Sequence, residues 1–225
     1  MNSKGCDVKM SLIMAMPTKQ GIIVSGDYRR ESKYTDRDSN EVMYTTHSDF
    51  EQKVFRTNNG HAIALAGNAK LNDGTSTNDT VYKLVKSINR RKLSIRQEIE
   101  FVKKDISAKT GDNPVALLIT GYENGKQVIL KTDTRENSIQ DVSNEDIAVI
   151  GVMGVAERLI HIVPPRDTLC EIDLVEYIRF LNKTVAKMLE FSDYNPMVSE
   201  DCDVLVITEE NARWKTSLKR LDSLR

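Results

Sequence analysis

Three residues in the first quarter of this chain carry groups that can act together. They are the hydroxyl of Ser11, the carboxylate of Asp27 and the ammonium of Lys53. A serine hydroxyl is a weak nucleophile and needs a base to remove its proton. If Ser11 opens a processed chain, its own α-amino group can serve as that base. An ammonium close to the hydroxyl favours the alkoxide, and a carboxylate beside the ammonium holds it charged and oriented. The plain alternative is architectural. Ser11 would then be a small residue opening a strand, and Asp27 with Lys53 a buried pair whose charges compensate each other.

The surrounding pattern supplies elements that can position these groups. Residues 11–16 and 21–25 are short apolar runs, joined across a polar turn at 17–20 that contains Pro17. Their nearly continuous apolar character predicts a sheet covered on both faces. Residues 53–57 and 61–66 form a second hairpin across Asn58-Asn59-Gly60. Val81, Leu84, Val85 and Ile88 fall at helical spacing within 77–92. Ser94-Ile-Arg-Gln97 has the form of a capping box opening a helix over 94–109, which Gly111-Asp-Asn-Pro114 ends. Strands follow at 115–121, 127–132 and 147–150, with Glu123-Asn-Gly125 as a turn. A helix is expected over 154–163, stopped by Pro164-Pro165, and another over 172–191 with Val175, Ile178, Leu181, Val185 and Met188 in one stripe. A last strand spans 203–208. The segment 30–52 reads as a long polar loop, and Arg90-Arg91-Lys92 as a solvated helix end beside the C-terminal dipole. Periodicity by itself supports mixed α and β structure with buried sheets.

At 225 residues without a composition break, one sizeable domain is expected. A net charge of −1 with mixed signs offers no basic field for nucleic acid and no case for membrane adhesion. No apolar run is long enough to span a bilayer, and the first nine residues are too polar for a signal-peptide core. Cys6, Cys170 and Cys202 have no metal spacing and cannot all pair, which favours a reducing cytoplasm. His47, His61 and His161 are scattered. Neither a metal nor another cofactor is expected.

The order of four pieces resembles the proteasome β-type family of N-terminal nucleophile hydrolases. That family opens on a nucleophilic Thr before a short apolar strand, and Ser11 stands in that place. A turn Gly, an apolar run and Asp-x-Arg are matched by Gly21, by residues 22–24 and by Asp27-Tyr28-Arg29. The family Lys before an apolar pair is matched by Lys53-Val54-Phe55, and its apolar-Ala-Gly turn by Leu65-Ala66-Gly67. The similarity extends more weakly through 146–154 and 202–208. It implies a four-layer αββα sandwich over residues 11–225, with residues 1–10 as a propeptide, an upstream start or an artefact. It also implies a backbone amide near Gly67 that receives the developing oxyanion, beside the simpler role of a tight strand-to-helix turn.

The resemblance further implies a cytoplasmic hydrolase that cleaves peptide or amide bonds by acyl transfer, on a peptide or protein substrate. It implies a ring-shaped homo-oligomer, with any unfoldase partner unidentified. The chain departs from the family in several places. Ser replaces the usual Thr, and Met10 stands where a self-cleaving junction carries Gly. Gly151-Val-Met-Gly154 lacks the Ser found between the two glycines of many members. Asp193 is only a loose counterpart of a later family Asp. A catalytically inactive structural subunit and a small-molecule amidase are therefore carried as alternatives. Translation from Met10 and removal of that Met would expose Ser11.

Overall fold

The computed structural model describes residues 11–35, 42–48, 51–111, 114–151, 171–190 and 198–215, with the backbone alone at 30–35, 42–48, 171–173 and 190. The expected helix over 154–163, the junction residue Met10 and Asp193 lie outside the described residues. Strand β1 (Leu12–Thr18) pairs antiparallel with β2 (Gly21–Asp27), and every position of both is buried. Ile and Val populate both faces of these strands because both faces are covered. The hairpin is tighter than expected. Pro17 and Thr18 stay in β1, paired with Ile22 and Gly21, and only Lys19 and Gln20 remain to turn. Pro17 is tolerated because β10 (Ala148–Gly151) pairs with β1 only from Leu12 to Ala15, so one side of the strand is an edge there.

The segment expected as a polar loop is instead a small hairpin. Strand β3 (Arg30–Thr35) pairs with β4 (Val42–Ser48). Tyr34, Thr35, Val42, Tyr44, Thr45 and Thr46 keep its strand propensity, while the charges and hydroxyls among them lower the mean hydropathy. Strand β5 (Val54–Arg56), β6 (Ala62–Gly67), β7 (Val115–Glu123), β8 (Lys126–Asp133) and β9 (Gln140–Asp141) form a five-stranded sheet in that spatial order. The other five-stranded sheet has the order β10-β1-β2-β11-β12, where β11 is Cys202–Ile207 and β12 is Ala212–Trp214. All pairings within both sheets are antiparallel.

Three helices are described. Helix α1 (Thr77–Ile88) starts at the Ser76 cap and ends earlier than expected, with Asn89 closing the last turn. Arg90-Arg91-Lys92 therefore lies in the connection, where the Arg91 guanidinium sits over the Phe101 ring. Helix α2 (Ile95–Thr110) carries the complete capping box between Ser94 and Gln97. Helix α3 (Glu171–Glu190) is the long helix expected near the C-terminal end.

Three apolar clusters hold these parts together. Ile13, Ala15, Ile22 and Val24 of one sheet meet Val54, Ala62, Ala64 and Leu118 of the other. On its opposite face the first sheet packs Leu12, Met14, Ile23 and Val204 against Ile178, Leu181 and Val185 of α3. The second sheet packs Ile63, Leu65 and Leu117 against Val81 and Ile88 of α1 and Ile99 and Ile106 of α2. Each fully buried Ile or Leu contributes about 1.5–3 kcal/mol of transfer free energy. The fold is thus mixed α and β, with two antiparallel sheets sharing an apolar interface.

Candidate active site

Strand alternation decides which way the candidate nucleophile faces. Ile13 and Ala15 of β1 point into the space between the sheets, so continuing the period of two places Ser11 on that same face. Leu12 points the other way, toward α3. Lys53 enters the site from the second sheet, immediately before β5, and its side chain is almost completely buried. Gly26 makes this approach possible. A methyl group there would lie 2.9 Å from Val54 Cγ2, 3.0 Å from Ile13 Cδ1 and 3.4 Å from Lys53 Cβ. Any side chain at position 26 would push the sheets apart where Lys53 must cross.

Asp27, at the end of β2, is completely buried and is the hub of the site. Its Oδ1 accepts from Lys53 Nζ at 2.8 Å and from the Leu12 amide at 2.8 Å. Its Oδ2 accepts from the Arg29 amide at 3.0 Å and from the Ser199 amide at 3.4 Å. A buried carboxylate is tolerable only with such compensation. Because Lys53 and the Leu12 amide share one oxygen, the ammonium lies at most two hydrogen-bond lengths from the peptide group that joins Ser11 to Leu12. Lys53 also donates to the Arg29 carbonyl at 2.5 Å. Among the described residues this leaves one of its three N–H groups uncommitted.

The segment that leads into Lys53 is itself fixed. Glu51 N–H donates to the Tyr28 carbonyl, and Asn78 at the start of α1 donates to both the Gln52 carbonyl and the Glu51 carboxylate. Beyond Lys53, its own carbonyl accepts from the Leu65 amide of β6.

Ser11 is buried by backbone contacts as well. Gly151 has φ of 103°, and a methyl group there would fall 1.6 Å from the Ser11 carbonyl oxygen and 3.4 Å from Ala66 Cβ. The Ser11 backbone, Gly151 and Ala66 therefore converge at one corner of the inter-sheet space. Gly67 is the residue after Ala66. It pairs with Val115, has φ of 122°, and a side chain on it would collide with the Pro114 carbonyl at 2.6 Å. Gly67 thus ends β6 where the Pro114 backbone passes close, but residues 68–76 separate it from α1, so the connection is not the tight strand-to-helix turn expected there.

Asp27 and Lys53, far apart in sequence, are thus brought into contact, with Ser11 at the edge of the same inter-sheet space, while Gly67 ends β6 one residue beyond Ala66 and pairs with Val115 of the helix-facing cluster. Arg29 contributes its amide and its carbonyl to the site. Sequence reasoning missed Ser199, whose amide reaches Asp27 and whose Oγ accepts from the Tyr28 amide at 2.8 Å. The available signal was its position just ahead of β11, whose first residue, Cys202, pairs with Asp27. Tyr28 is held in turn by a hydrogen bond from its hydroxyl to Asp203. Cys202 is not a rival nucleophile. Burial pushes its thiol well above the ordinary range, with Asp27 and Asp203 adding to the effect and Arg179 opposing it, so the thiolate is disfavoured.

A second buried charged cluster lies on the far side of the second sheet. Glu98 of α2 is fully buried and accepts from Asn59 Nδ2 at 2.5 Å. His61 Nδ1 lies 3.1 Å from Glu98 Oε2, too poorly aligned for a hydrogen bond. This cluster joins the β5–β6 turn to α2 and stands apart from Asp27. Among the described residues no group of three His, Cys, Asp or Glu side chains could hold a metal ion, and no helix is long and apolar enough to cross a membrane.

No known family model and no curated protein matches the chain.

Proposed function

We propose that this chain is a divergent proteasome-like N-terminal nucleophile hydrolase, with the four-layer αββα sandwich of that family. It would cleave peptide or amide bonds in the cytoplasm, as a homo-oligomer and without a cofactor. The observation that carries the reading is the Asp27 carboxylate, which gathers the Lys53 ammonium and the amide next to Ser11 in a buried corner between two antiparallel sheets. In this reading the free α-amine of Ser11 takes the proton from Oγ, and Oγ attacks the substrate carbonyl carbon. Lys53 lowers the energy of the oxyanionic nucleophile, and Asp27 holds Lys53. An amide near Gly67 stabilises the tetrahedral oxyanion. The amine leaving group departs with a proton, and water then hydrolyses the ester on Ser11.

The decisive condition is a free Ser11 amine. Chains beginning at Ser11 and at Met1 are to be treated with a β-lactone and analysed by intact mass and peptide mapping. A single acyl adduct on Ser11 in the shorter chain alone is the expected result. No adduct in either chain would sink the reading. A second reading, an inactive structural subunit, is favoured by the absence of a Ser between Gly151 and Gly154. It predicts a folded oligomer without an adduct.

A further inference from the structure

Asn182 is a polar residue where the pattern of α3 calls for a hydrocarbon. It is fully buried on the helix face that carries Ile178, Leu181, Val185 and Ala186. Its Nδ2 donates to two backbone carbonyls outside the helix, Ser199 at 2.8 Å and Glu200 at 3.0 Å. Among the described residues its Oδ1 has no hydrogen-bond partner, so the residue sits there at a desolvation cost. What the amide achieves is to clamp one short turn. That turn is braced further by Ser199 Oγ, which donates to the Asp201 carbonyl at 2.6 Å and accepts from the Tyr28 amide.

The clamped turn presents the Ser199 amide to Asp27 Oδ2, while Oδ1 of the same carboxylate holds Lys53 and the Leu12 amide. A carboxylate is planar, so fixing Oδ2 fixes where Oδ1 points. Three successive hydrogen-bonded links therefore run from the inner face of α3 to the ammonium, joining Asn182 to Ser199, Ser199 to Asp27 and Asp27 to Lys53. We propose that Asn182 is a positioning residue, which sets the orientation of the Asp27 carboxylate and through it the placement of Lys53 beside Ser11. Its catalytic consequence rests on the hydrolase reading; its structural consequence does not.

The test compares Asn182→Leu with Val185→Ala in the full chain. Val185 lies on the same buried face of α3, and truncating it loosens packing without touching the turn. Hydrogen exchange is followed at the Leu12, Arg29 and Ser199 amides, all of which donate to Asp27. Asn182→Leu is expected to speed exchange at these three amides by about tenfold more than Val185→Ala does, with sheet amides such as Leu117 responding alike in both variants. Equal acceleration in the two variants would overturn the proposal. If Asn182→Leu does not fold, Asn182→Ala is compared in the same way. In the chain beginning at Ser11, the pH profile of β-lactone acylation is then measured. A shifted profile in the Asn182 variant, absent from Val185→Ala, supports the positioning role, and an unshifted one contradicts it. If the parent chain is not acylated, the hydrolase reading falls while the exchange result still decides the role of Asn182.

Discussion

At the scale of single residues, the buried Asp27–Lys53 pair makes a prediction that separates it from ornament. Removing one partner leaves the other charge buried and unpaired, which costs about 3–5 kcal/mol, while removing both together is cheaper. Lys53→Met and Asp27→Asn should therefore each lower stability by that order in urea titration. The double variant should be more stable than the sum of the two losses allows. Simple additivity would mean that the pair is not coupled. Cys202 gives a pH prediction of known sign. Its folded thiol is raised above the ordinary value of 9.0 because burial disfavours the thiolate. A raised group contributes stability that is complete below the unfolded value and is lost as pH rises, because the unfolded chain ionises first. Stability should thus fall above pH 9, with Cys202 contributing about 1.4 kcal/mol per pH unit there. Cys202→Ala should show a shallower alkaline decline than the parent chain in guanidinium titrations between pH 8 and 10. Parallel declines would show that the thiol is not held protonated.

At the scale of elements, the sequence signals that worked were those with local causes. The Ser94–Gln97 capping box, the Asn59-Gly60 turn and the alternating or continuous apolar strands each report backbone requirements met within a few residues. The Asn124-Gly125 turn belongs with them, both residues having positive φ as a two-residue hairpin demands. What escaped sequence reasoning depends on distant partners. The β3–β4 hairpin is too polar to stand out, and β9 and β12 are two and three residues long, shorter than any periodicity can register. Asp27 and Lys53 were legible as candidates because their spacing along the chain resembles a family pattern. Ser199, Gly26 and Asn182 were not, since each acts through a neighbour that only the folded sheet supplies. Gly151 tests how tightly the elements are fitted. With the Ser11 carbonyl 1.6 Å from where a methyl group would stand, Gly151→Ala must separate β10 from β1. A loss of at least about 3 kcal/mol is expected, larger than the roughly 1 kcal/mol of Ser94→Ala at the α2 cap. Thermal unfolding of the two variants decides between this and a corner that can relax.

For the whole molecule, the question is which face a second copy would meet. The outer faces of α1 and α2 carry Lys83, Lys86, Arg96, Lys103 and Lys104, so a contact there would be wet and polar. In the fold some of those charges are already engaged. Lys86 lies over the Tyr82 ring at 4.3 Å, and Lys103 donates to Thr132 and to the Ser138 carbonyl. The outer side of α3 offers a better face. Phe180 is 61% exposed, the largest exposure of any described large apolar side chain, with the Tyr177 ring beside it at 6.5 Å and Met188 exposed two turns further on. The charges nearest Phe180 are also engaged, Glu176 with Arg179 at 2.6 Å and Lys183 with Glu200 at 3.4 Å, so what sets this face apart is its exposed apolar surface. Two copies meeting antiparallel about a two-fold axis would cover Phe180 and Tyr177 of each with the same residues of the other, giving an aromatic centre. The prediction is a sedimentation mass that is a multiple of 25.5 kDa at micromolar concentration. Phe180→Glu should shift it toward the single chain, whereas Tyr82→Glu on α1 should leave it unchanged. A parent chain that sediments as a monomer would contradict the proposed homo-oligomer, and the chemistry proposed for Ser11 would then have to operate in a single chain.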